Sequence, residues 1–187
     1  HVVINRLIPG AVCVIMDAER GPSQAVEHLA ALGHTHLAYA SGPHGSWADD
    51  QRAHTVARAC ERFGIRLTRL SNHAASIQGG RASAAAAIAS GATAVIAYND
   101  LVALGLEAGM GELGRVCPDD VSIVGIDDIE LAGAVTPSLT TVRMPIARSG
   151  ALAVELLLQS MAGTAPEETA VLPSELIVRG STAPPRA

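Results

Sequence analysis

Two stretches decide the fold: Thr93-Ala-Val-Ile-Ala-Tyr-Asn-Asp100 and, 20 residues further on, Val121-Ser-Ile-Val-Gly-Ile-Asp-Asp128. Each is a short, mostly apolar run, rich in β-branched residues, that ends in polar side chains. Such runs are typical of the central strands of a parallel sheet, because helices bury both of its faces. Residues 93–98 and 121–126 are therefore predicted to be strands at the centre of a sheet.

The same order of elements recurs outward from these strands: a helical stretch rich in Ala and Leu, a glycine, and an apolar run. The four glycines, each placed where a left-handed residue would end a helix, are Gly33, Gly64, Gly91 and Gly114. The other two runs are 36–41 and 65–70, and the latter alternates with Arg66 and Arg69, which favours a sheet edge. This alternation predicts an α/β fold, a doubly wound parallel sheet built from βαβ units.

Two pieces fall outside that repeat. Residues 12–32 hold a strand over 12–16 and a helix that begins near Pro22. Residues 139–145 are extended and lead to a helix over 146–161. Both pieces are predicted to belong to a second lobe, which the chain encodes only in part.

Composition excludes several classes of function. All 13 basic residues are Arg, so no Lys exists for a Schiff base or a Walker A site. The net charge of −5 and 2% aromatic content argue against direct binding of nucleic acid, which needs a basic surface or stacking rings. Cys13, Cys60 and Cys117 form no C-x-x-C pair and are predicted to be reduced thiols in a cytoplasmic protein. No apolar run approaches the roughly 20 residues of a membrane span, so no membrane partner is expected.

Polar residues follow each predicted strand, at the edge where open parallel sheets bind ligands. In chain order they include Ser46, Trp47, Arg52, His73, Asn99 and Asp127. An Arg, an Asn and an Asp that converge there offer both donors and acceptors to a polyhydroxylated ligand. A small-molecule site at this edge is therefore predicted.

Four of these residues, Trp47, Arg52, Asn99 and Asp127, also have a structural interpretation. Asn and Asp are favoured helix caps, and in the pairs Asn99-Asp100 and Asp127-Asp128 we predict that the second residue caps while the first binds ligand. Arg52 suits an exposed surface charge equally well. Trp47 either stacks on a sugar ring or packs within its loop.

Two other patterns resemble functional motifs, but the sequence around them does not fit those motifs. Residues 109–114 match G-x-G-x-x-G, but they end a helical stretch instead of joining a strand to a helix, so no dinucleotide cofactor is predicted. His34 and His36 share one face of an extended segment without a third ligand nearby, and are predicted to be solvated instead of metal-bound. No nucleophile, base and orienting group assemble at the strand ends, which makes an enzyme the weakest interpretation.

Seven stretches in one order carry a resemblance to a known family. They are Asp17-Ala-Glu-Arg-Gly21, Glu27-His-Leu-Ala-Ala-Leu-Gly-His34, Ser41-Gly-Pro43, Ala97-Tyr-Asn-Asp-Leu-Val-Ala-Leu-Gly105, Pro118-Asp-Asp-Val-Ser-Ile-Val-Gly-Ile-Asp-Asp128, Thr136-Pro-Ser-Leu-Thr-Thr-Val-Arg-Met-Pro145 and Leu172-Pro-Ser-Glu-Leu-Ile-Val-Arg-Gly-Ser-Thr182. Over nearly its whole length the chain resembles the effector-binding part of LacI/GalR-family transcriptional regulators, which are related to periplasmic sugar-binding proteins.

The resemblance implies a periplasmic-binding-protein-like fold of two α/β lobes joined by three crossing strands, with the effector between them. Residues 1–33 and 143–170 would lie in the N-terminal lobe, and 34–142 with 171–182 in the C-terminal lobe. Residues 183–187 are expected to form a frayed tail. By the same comparison the chain lacks the DNA-binding helix-turn-helix, its hinge and the first strands of the N-terminal lobe.

The resemblance also implies a function. The family's ligand arginine, cleft asparagine and hydroxyl-binding aspartate fall on Arg52, Asn99 and Asp127. The expected protein is the effector-sensing and dimerisation domain of a repressor. It would bind a sugar or related metabolite, form a homodimer and reach operator DNA only through the missing domain. The alternative is the sugar-binding protein of a transport system.

The chain departs from the family pattern at three places. Thr55 and Val56 stand where Gly and an aromatic residue are usual, and Met144 stands where Gln is usual. The stacking aromatic residue expected near Ala74-Ala75 is missing. Trp47 or His73 would have to supply that surface.

Overall fold

A computed structural model describes residues 1–164 and 169–186. The strands are β1 (Val2–Ile4), β2 (Val12–Met16), β3 (His36–Ala40), β4 (Arg66–Arg69), β5 (Ala94–Ala97), β6 (Ser122–Asp127), β7 (Thr140–Arg143), β8 (Ala170–Leu172) and β9 (Glu175–Ile177). The helices are α1 (Arg20–Ala31), α2 (Trp47–Phe63), α3 (Ile77–Ala89), α4 (Asp100–Glu112), α5 (Glu130–Ala134) and α6 (Ile146–Met161). Within the described ranges, no helix is both long and apolar enough to cross a membrane.

Six strands form the larger sheet, in the order β4-β3-β5-β6-β7-β9. All neighbours are parallel except β7 and β9, which are antiparallel. The predictions that β5 and β6 lie at the centre and β4 at an edge are confirmed. The four predicted glycines also adopt positive φ, from 66° at Gly64 to 95° at Gly33, as left-handed helix ends require.

Helices cover both faces of the larger sheet. Because successive side chains of a strand point to opposite faces, β5 divides its residues between two cores. Val95 and Ala97 pack with residues of α3 and α4, whereas Ala94 and Ile96 pack with residues of α1 and α2. The predicted doubly wound α/β fold is confirmed.

A smaller parallel sheet has the order β1-β2-β8 and packs against α6, whose Ala153 and Leu156 contact Val14 and Leu172. The predicted lobe boundaries are wrong in two places. α1 buries Val26 and Leu29 in the core of the larger sheet, so residues 20–33 do not join the smaller unit. Leu172, predicted for the larger unit, pairs with Met16 in the smaller sheet. The chain passes between the sheets three times, before α1, after β7 and after β8.

The segment after β9 is held against the larger sheet, so a frayed tail is wrong for residues 183–186, while Ala187 lies outside the described residues. The carbonyl oxygen of Ala183 accepts from His34 Nε2 and from Ser122 Oγ, both at 3.0 Å. Arg186 pairs with Asp119 at 2.9 Å. These contacts bind the segment to the start of β6 and to the turn after α1.

His34 is 2% exposed, so the prediction that it is solvated is wrong. Its Nδ1 lies 2.8 Å from the hydroxyl of Thr93. Burial lowers the pKa of His34, since a charged imidazole loses its hydration there. The nearby His36 lies 2.8 Å from the hydroxyl of Thr68. Both rings are therefore engaged in bonds between segments.

The glycines of α3 and α4 let the two helix backbones approach closely. A Cβ at Gly80 would overlap the carbonyl oxygen of Val102, and one at Gly105 would overlap that of Ile77. A Cβ at Gly109 would lie 2.9 Å from Ala84 Cβ. The first glycine of the G-x-G-x-x-G match, Gly109, therefore lies in the close contact between α3 and α4.

We expect Gly80→Ala to lower the free energy of unfolding by about 1–3 kcal/mol, because its methyl group forces the backbones of α3 and α4 apart. Gly111→Ala is the matched control, since Gly111 lies in α4 with nothing within 4 Å of its added Cβ. It should stabilise the protein by up to about 1 kcal/mol, from helix propensity alone. Urea unfolding measures both. Equal effects of the two substitutions would contradict the close-packing argument.

Candidate functional site

Arg52 and Asp127 meet at the carboxyl edge of the larger sheet. Nη2 of Arg52, on α2, donates to Oδ1 of Asp127, at the end of β6, over 3.0 Å. Nη1 donates to the carbonyl oxygen of Tyr98 over 2.6 Å, and the guanidinium lies 4.9 Å from the centre of the Tyr98 ring. Arg52 is only 6% exposed. An exposed surface charge, the alternative for Arg52, is therefore wrong.

The electrostatics of the pair follow from its burial. Burial raises the pKa of Asp127, and the charge and hydrogen bond of Arg52 oppose that rise. A buried guanidinium is tolerable only when its donors are paired, and here a carbonyl oxygen and a carboxylate supply the acceptors. The pair is therefore fixed in place and offers a charged, directional group to the space beside it.

A hollow of about 440 Å³ lies next to Asp127. It runs from the end of β6 to the first turn of α6, between the larger sheet and the helix of the smaller unit. The lining residues are Asp127, Asp128, Ile129, Arg143, Met144, Pro145, Ile146, Ala147 and Arg148. Charged groups of both signs with an apolar floor suit a small polar ligand.

Asn99 caps α4: its side-chain oxygen accepts from the backbone N–H of Val102 at 3.0 Å. The prediction that Asp100 provides this cap is wrong. Asp100 is fully buried and accepts from the N–H of Ile129 and from the hydroxyl of Thr141, joining α4 to the segment after β6. Burial raises the pKa of Asp100. The amide nitrogen of Asn99, which the cap does not use, keeps a donor for a ligand.

Asp128 does not cap a helix either, because the N-cap position of α5 is Ile129. Its carboxylate is bound instead by Arg143 Nε at 2.7 Å and Arg179 Nη2 at 2.6 Å. The prediction that the second residue of each pair caps a helix is therefore wrong, whereas ligand binding by Asn99 and Asp127 stays a prediction. The local sequence favours helix caps at these positions. The carboxylates of Asp100 and Asp128 are instead held by hydrogen bonds from other segments of the chain.

The three other predicted ligand residues lie at the start of α2 and in the segment after β4. Ser46 caps α2 by accepting from the N–H of Asp49, and its hydroxyl lies 3.5 Å from that of Tyr98. Trp47 is the first residue of α2 and His73 lies between β4 and α3, both half-buried. Neither is among the described residues that line the hollow. Their contact with a ligand stays a prediction.

Asp49, one turn before Arg52, organises these loops and was missed by sequence reasoning. It is 1% exposed and accepts from Tyr39 Oη at 2.9 Å, from the N–H of Gly42 at 2.8 Å and from Arg69 Nη2 at 2.8 Å. Burial and the charge of Asp49 together raise the pKa of Tyr39. The only local signal is its place in the first turn of α2, where an acidic side chain ordinarily interacts favourably with the helix dipole.

Comparison with known proteins identifies the family. A family model described as a periplasmic binding protein-like domain matches residues 26–182. The fold is similar to the crystal structure of a LacI family transcriptional regulator from Enterococcus faecium with bound ribose, with a TM-score of 0.92 and 32% identity over 99% of this chain and 71% of that one. The chain belongs to the LacI/GalR family.

Two further relatives support this LacI/GalR assignment. The HTH-type transcriptional regulator reg1 of Streptomyces lividans is 38% identical over 175 residues, which cover 89% of this chain and 51% of that protein. A dimeric Lac repressor with a C-terminal deletion is similar with a TM-score of 0.88 and 31% identity, over 92% of this chain and 65% of that one. The chain spans about half the length of the curated relatives it matches. The family resemblance seen in the sequence is confirmed.

We expect Asp49→Asn to lower the free energy of unfolding by about 2 kcal/mol, because two buried donors, Tyr39 Oη and the N–H of Gly42, and the more exposed Arg69 lose their charged acceptor. Asp50→Asn is the matched control: Asp50 is the next residue, 69% exposed in its side chain and 3.8 Å from the same Arg69. It should change stability by less than about 0.5 kcal/mol. Chemical denaturation of both variants makes the comparison, and similar losses would show that Asp49 does not organise the loops.

Proposed function

We propose that the chain is the effector-sensing and dimerisation domain of a DNA-binding transcriptional repressor of the LacI type. A small molecule, a sugar or related metabolite, binds in the hollow between the two lobes. The observation that carries this proposal is the buried Arg52–Asp127 pair, 3.0 Å apart, at the strand ends beside that hollow. Such a pair is a costly arrangement for stability alone and suits a group that a ligand will contact.

The chemistry of the edge favours a hydroxylated ligand. A carboxylate accepts from hydroxyl groups, whereas a guanidinium and the amide of Asn99 donate to them. Ser46 adds a hydroxyl group, and Trp47 or His73 supplies a surface for a ring. The ribose bound to the Enterococcus faecium relative supports a sugar as the class of ligand.

From the position of the hollow we infer how ligand binding changes the relative orientation of the two lobes. Its walls come from the end of β6 on one side and the start of α6 on the other, so an occupant contacts both lobes. The ligand shifts the lobe orientation only by its differential affinity for the two arrangements. In a dimer, that shift alters the spacing of two DNA-reading heads, which lie outside this chain.

The names of the relatives favour a regulator over the transport alternative, because those compared are called transcriptional regulators. A cytoplasmic protein without catalytic activity, cofactor or metal fits this role. DNA contact is assigned to a part of the protein outside the chain, in keeping with the acidic composition of the segment, whose net charge is −5.

An apolar surface on α3, α4 and α5 supports dimerisation with a second copy. Ile77 and Leu131 are 43% and 45% exposed, and together with Leu104 and Val135 they line a hollow of about 500 Å³. Exposed apolar groups of this kind mark interaction surfaces when they are contiguous. The related Lac repressor was solved as a dimer, which makes a second copy the favoured partner.

The sensing proposal predicts that calorimetry with sugars and nucleosides finds a ligand, and that this ligand changes the operator affinity of the complete regulator. Arg52→Ala should weaken ligand binding by roughly 2–5 kcal/mol, because polar groups of the ligand and Asp127 lose their partner. Arg58→Ala is the control, since Arg58 lies on the same helix but pairs with Glu19 on the surface. If no small molecule alters operator affinity, the sensing role is wrong, and equal binding by both variants would remove Arg52 from the site.

The dimer proposal predicts that Leu131→Glu weakens self-association by roughly tenfold or more, because a charge at the centre of an apolar contact is desolvated. Val116→Glu, at a 57% exposed site between α4 and β6, should leave it unchanged. Sedimentation equilibrium measures both. A dimer that tolerates Leu131→Glu as well as Val116→Glu would place the interface elsewhere.

A further inference from the structure

The two residues at the end of β6 adopt a backbone conformation that L-amino acids rarely take. The φ angle is 122° at Asp127 and 55° at Asp128. Neither residue is Gly, and each such conformation costs on the order of 1–3 kcal/mol, so surrounding contacts must impose it. The strained residue with the larger φ is the one whose carboxylate meets Arg52.

The side chain of Asp128, the second residue of this turn, is bound by two arginines. Its Oδ1 accepts from Arg179 Nη2 at 2.6 Å and its Oδ2 from Arg143 Nε at 2.7 Å, and the side chain is 8% exposed. Burial would raise the pKa of Asp128, but the hydrogen bonds and charges of Arg179 and Arg143 hold it below its usual range. Both carboxylate oxygens are thus bound by cations from other segments.

Each of these arginines is itself held in place. Arg179 Nη1 donates to the carbonyl oxygen of Leu139 at 2.8 Å. Arg143 Nη1 donates to Glu175 Oε1 at 3.2 Å. Arg143 is the last residue of β7, where the chain leaves for the smaller unit, and Glu175 is the first residue of β9, where it returns. The turn is therefore fixed to two of the three passages between the sheets.

We propose that Asp128 is a positioning residue for the ligand site. Its contacts with Arg143 and Arg179 hold the left-handed turn that presents the Asp127 carboxylate to Arg52 and to the hollow. Through Arg143 and Glu175 the same contacts tie the ligand-binding turn to the passages between the lobes. The consequence for ligand binding rests on the proposed function, whereas the control of the turn does not.

The test compares Asp128→Asn with Asp119→Asn in the absence of any ligand. Asn tolerates the left-handed conformation as well as Asp, so Asp128→Asn removes the charge while it keeps the local preference. Asp119→Asn is the matched control, because it makes the same Asp-to-Asn change and removes the charge of an exposed carboxylate that pairs with Arg186. The one-bond Cα–Hα coupling of Asp127, measured by NMR, depends on its φ and ψ angles and so reports a change in its backbone conformation. We expect it to change in Asp128→Asn and to stay as in the unchanged chain in Asp119→Asn.

Arg143→Gln provides a second variant should Asp128→Asn fail to fold, because Arg143 lies at the surface and Arg179 still pairs with Asp128. A smaller change in the same coupling is expected. An unchanged coupling at Asp127 in the folded variants overturns the proposal.

Ribose titration forms the ligand arm of the test. If ribose binds the unchanged chain, Asp128→Asn should weaken it about tenfold, because the charged acceptor at Asp127 is displaced. Unchanged ribose affinity despite a changed coupling overturns the positioning role. If the unchanged chain does not bind ribose but the coupling of Asp127 changes in Asp128→Asn, control of the turn by Asp128 is supported and ribose is excluded as the ligand.

Discussion

A buried guanidinium shared between two adjacent strand ends is the interaction on which the rest of the cleft depends. Arg52 reaches the carbonyl oxygen of Tyr98, directly after β5, and the carboxylate of Asp127 at the end of β6. Removing the Asp127 carboxylate leaves a buried charge without compensation, which is among the most costly defects in a folded protein. The neighbouring order of β5 and β6 is what brings both acceptors within reach of one side chain.

Three carboxylates at the carboxyl edge of the larger sheet each hold a different part of the site together. Asp49 connects the loop after β3 with Arg69 of β4, Asp100 joins α4 to the segment after β6, and Asp128 joins that segment to Arg143 and Arg179. Each accepts bonds from at least two different segments, so each replaces several weaker loop contacts. Asp127 pairs with Arg52 and also lines the hollow, and on this ground we propose it as the carboxylate that contacts a ligand.

Much of the fold could be predicted from the sequence because its determinants are local. The apolar runs, the four left-handed glycines and the edge position of β4 all follow from composition and spacing. The predictions that were wrong concern residues whose partners lie far away in the sequence. α1 was assigned to the smaller unit although it packs on the larger sheet, and Asp100 and His34 form hydrogen bonds with residues many positions away. Asp49 gave no distinctive signal, since nothing near it in sequence reveals that its partners include Tyr39 and Arg69.

The larger unit is discontinuous, because α6 and β8 are inserted between its strands β7 and β9. Its sheet can be completed only after the inserted segment has been synthesised, and closing that long loop costs chain entropy before β9 pairs. Nascent chains therefore expose the unpaired edge of β7 until the polypeptide returns. Cleavage within the insertion would separate β9 and the segment behind it from the rest of the sheet, and their retention would then depend on non-covalent contacts alone.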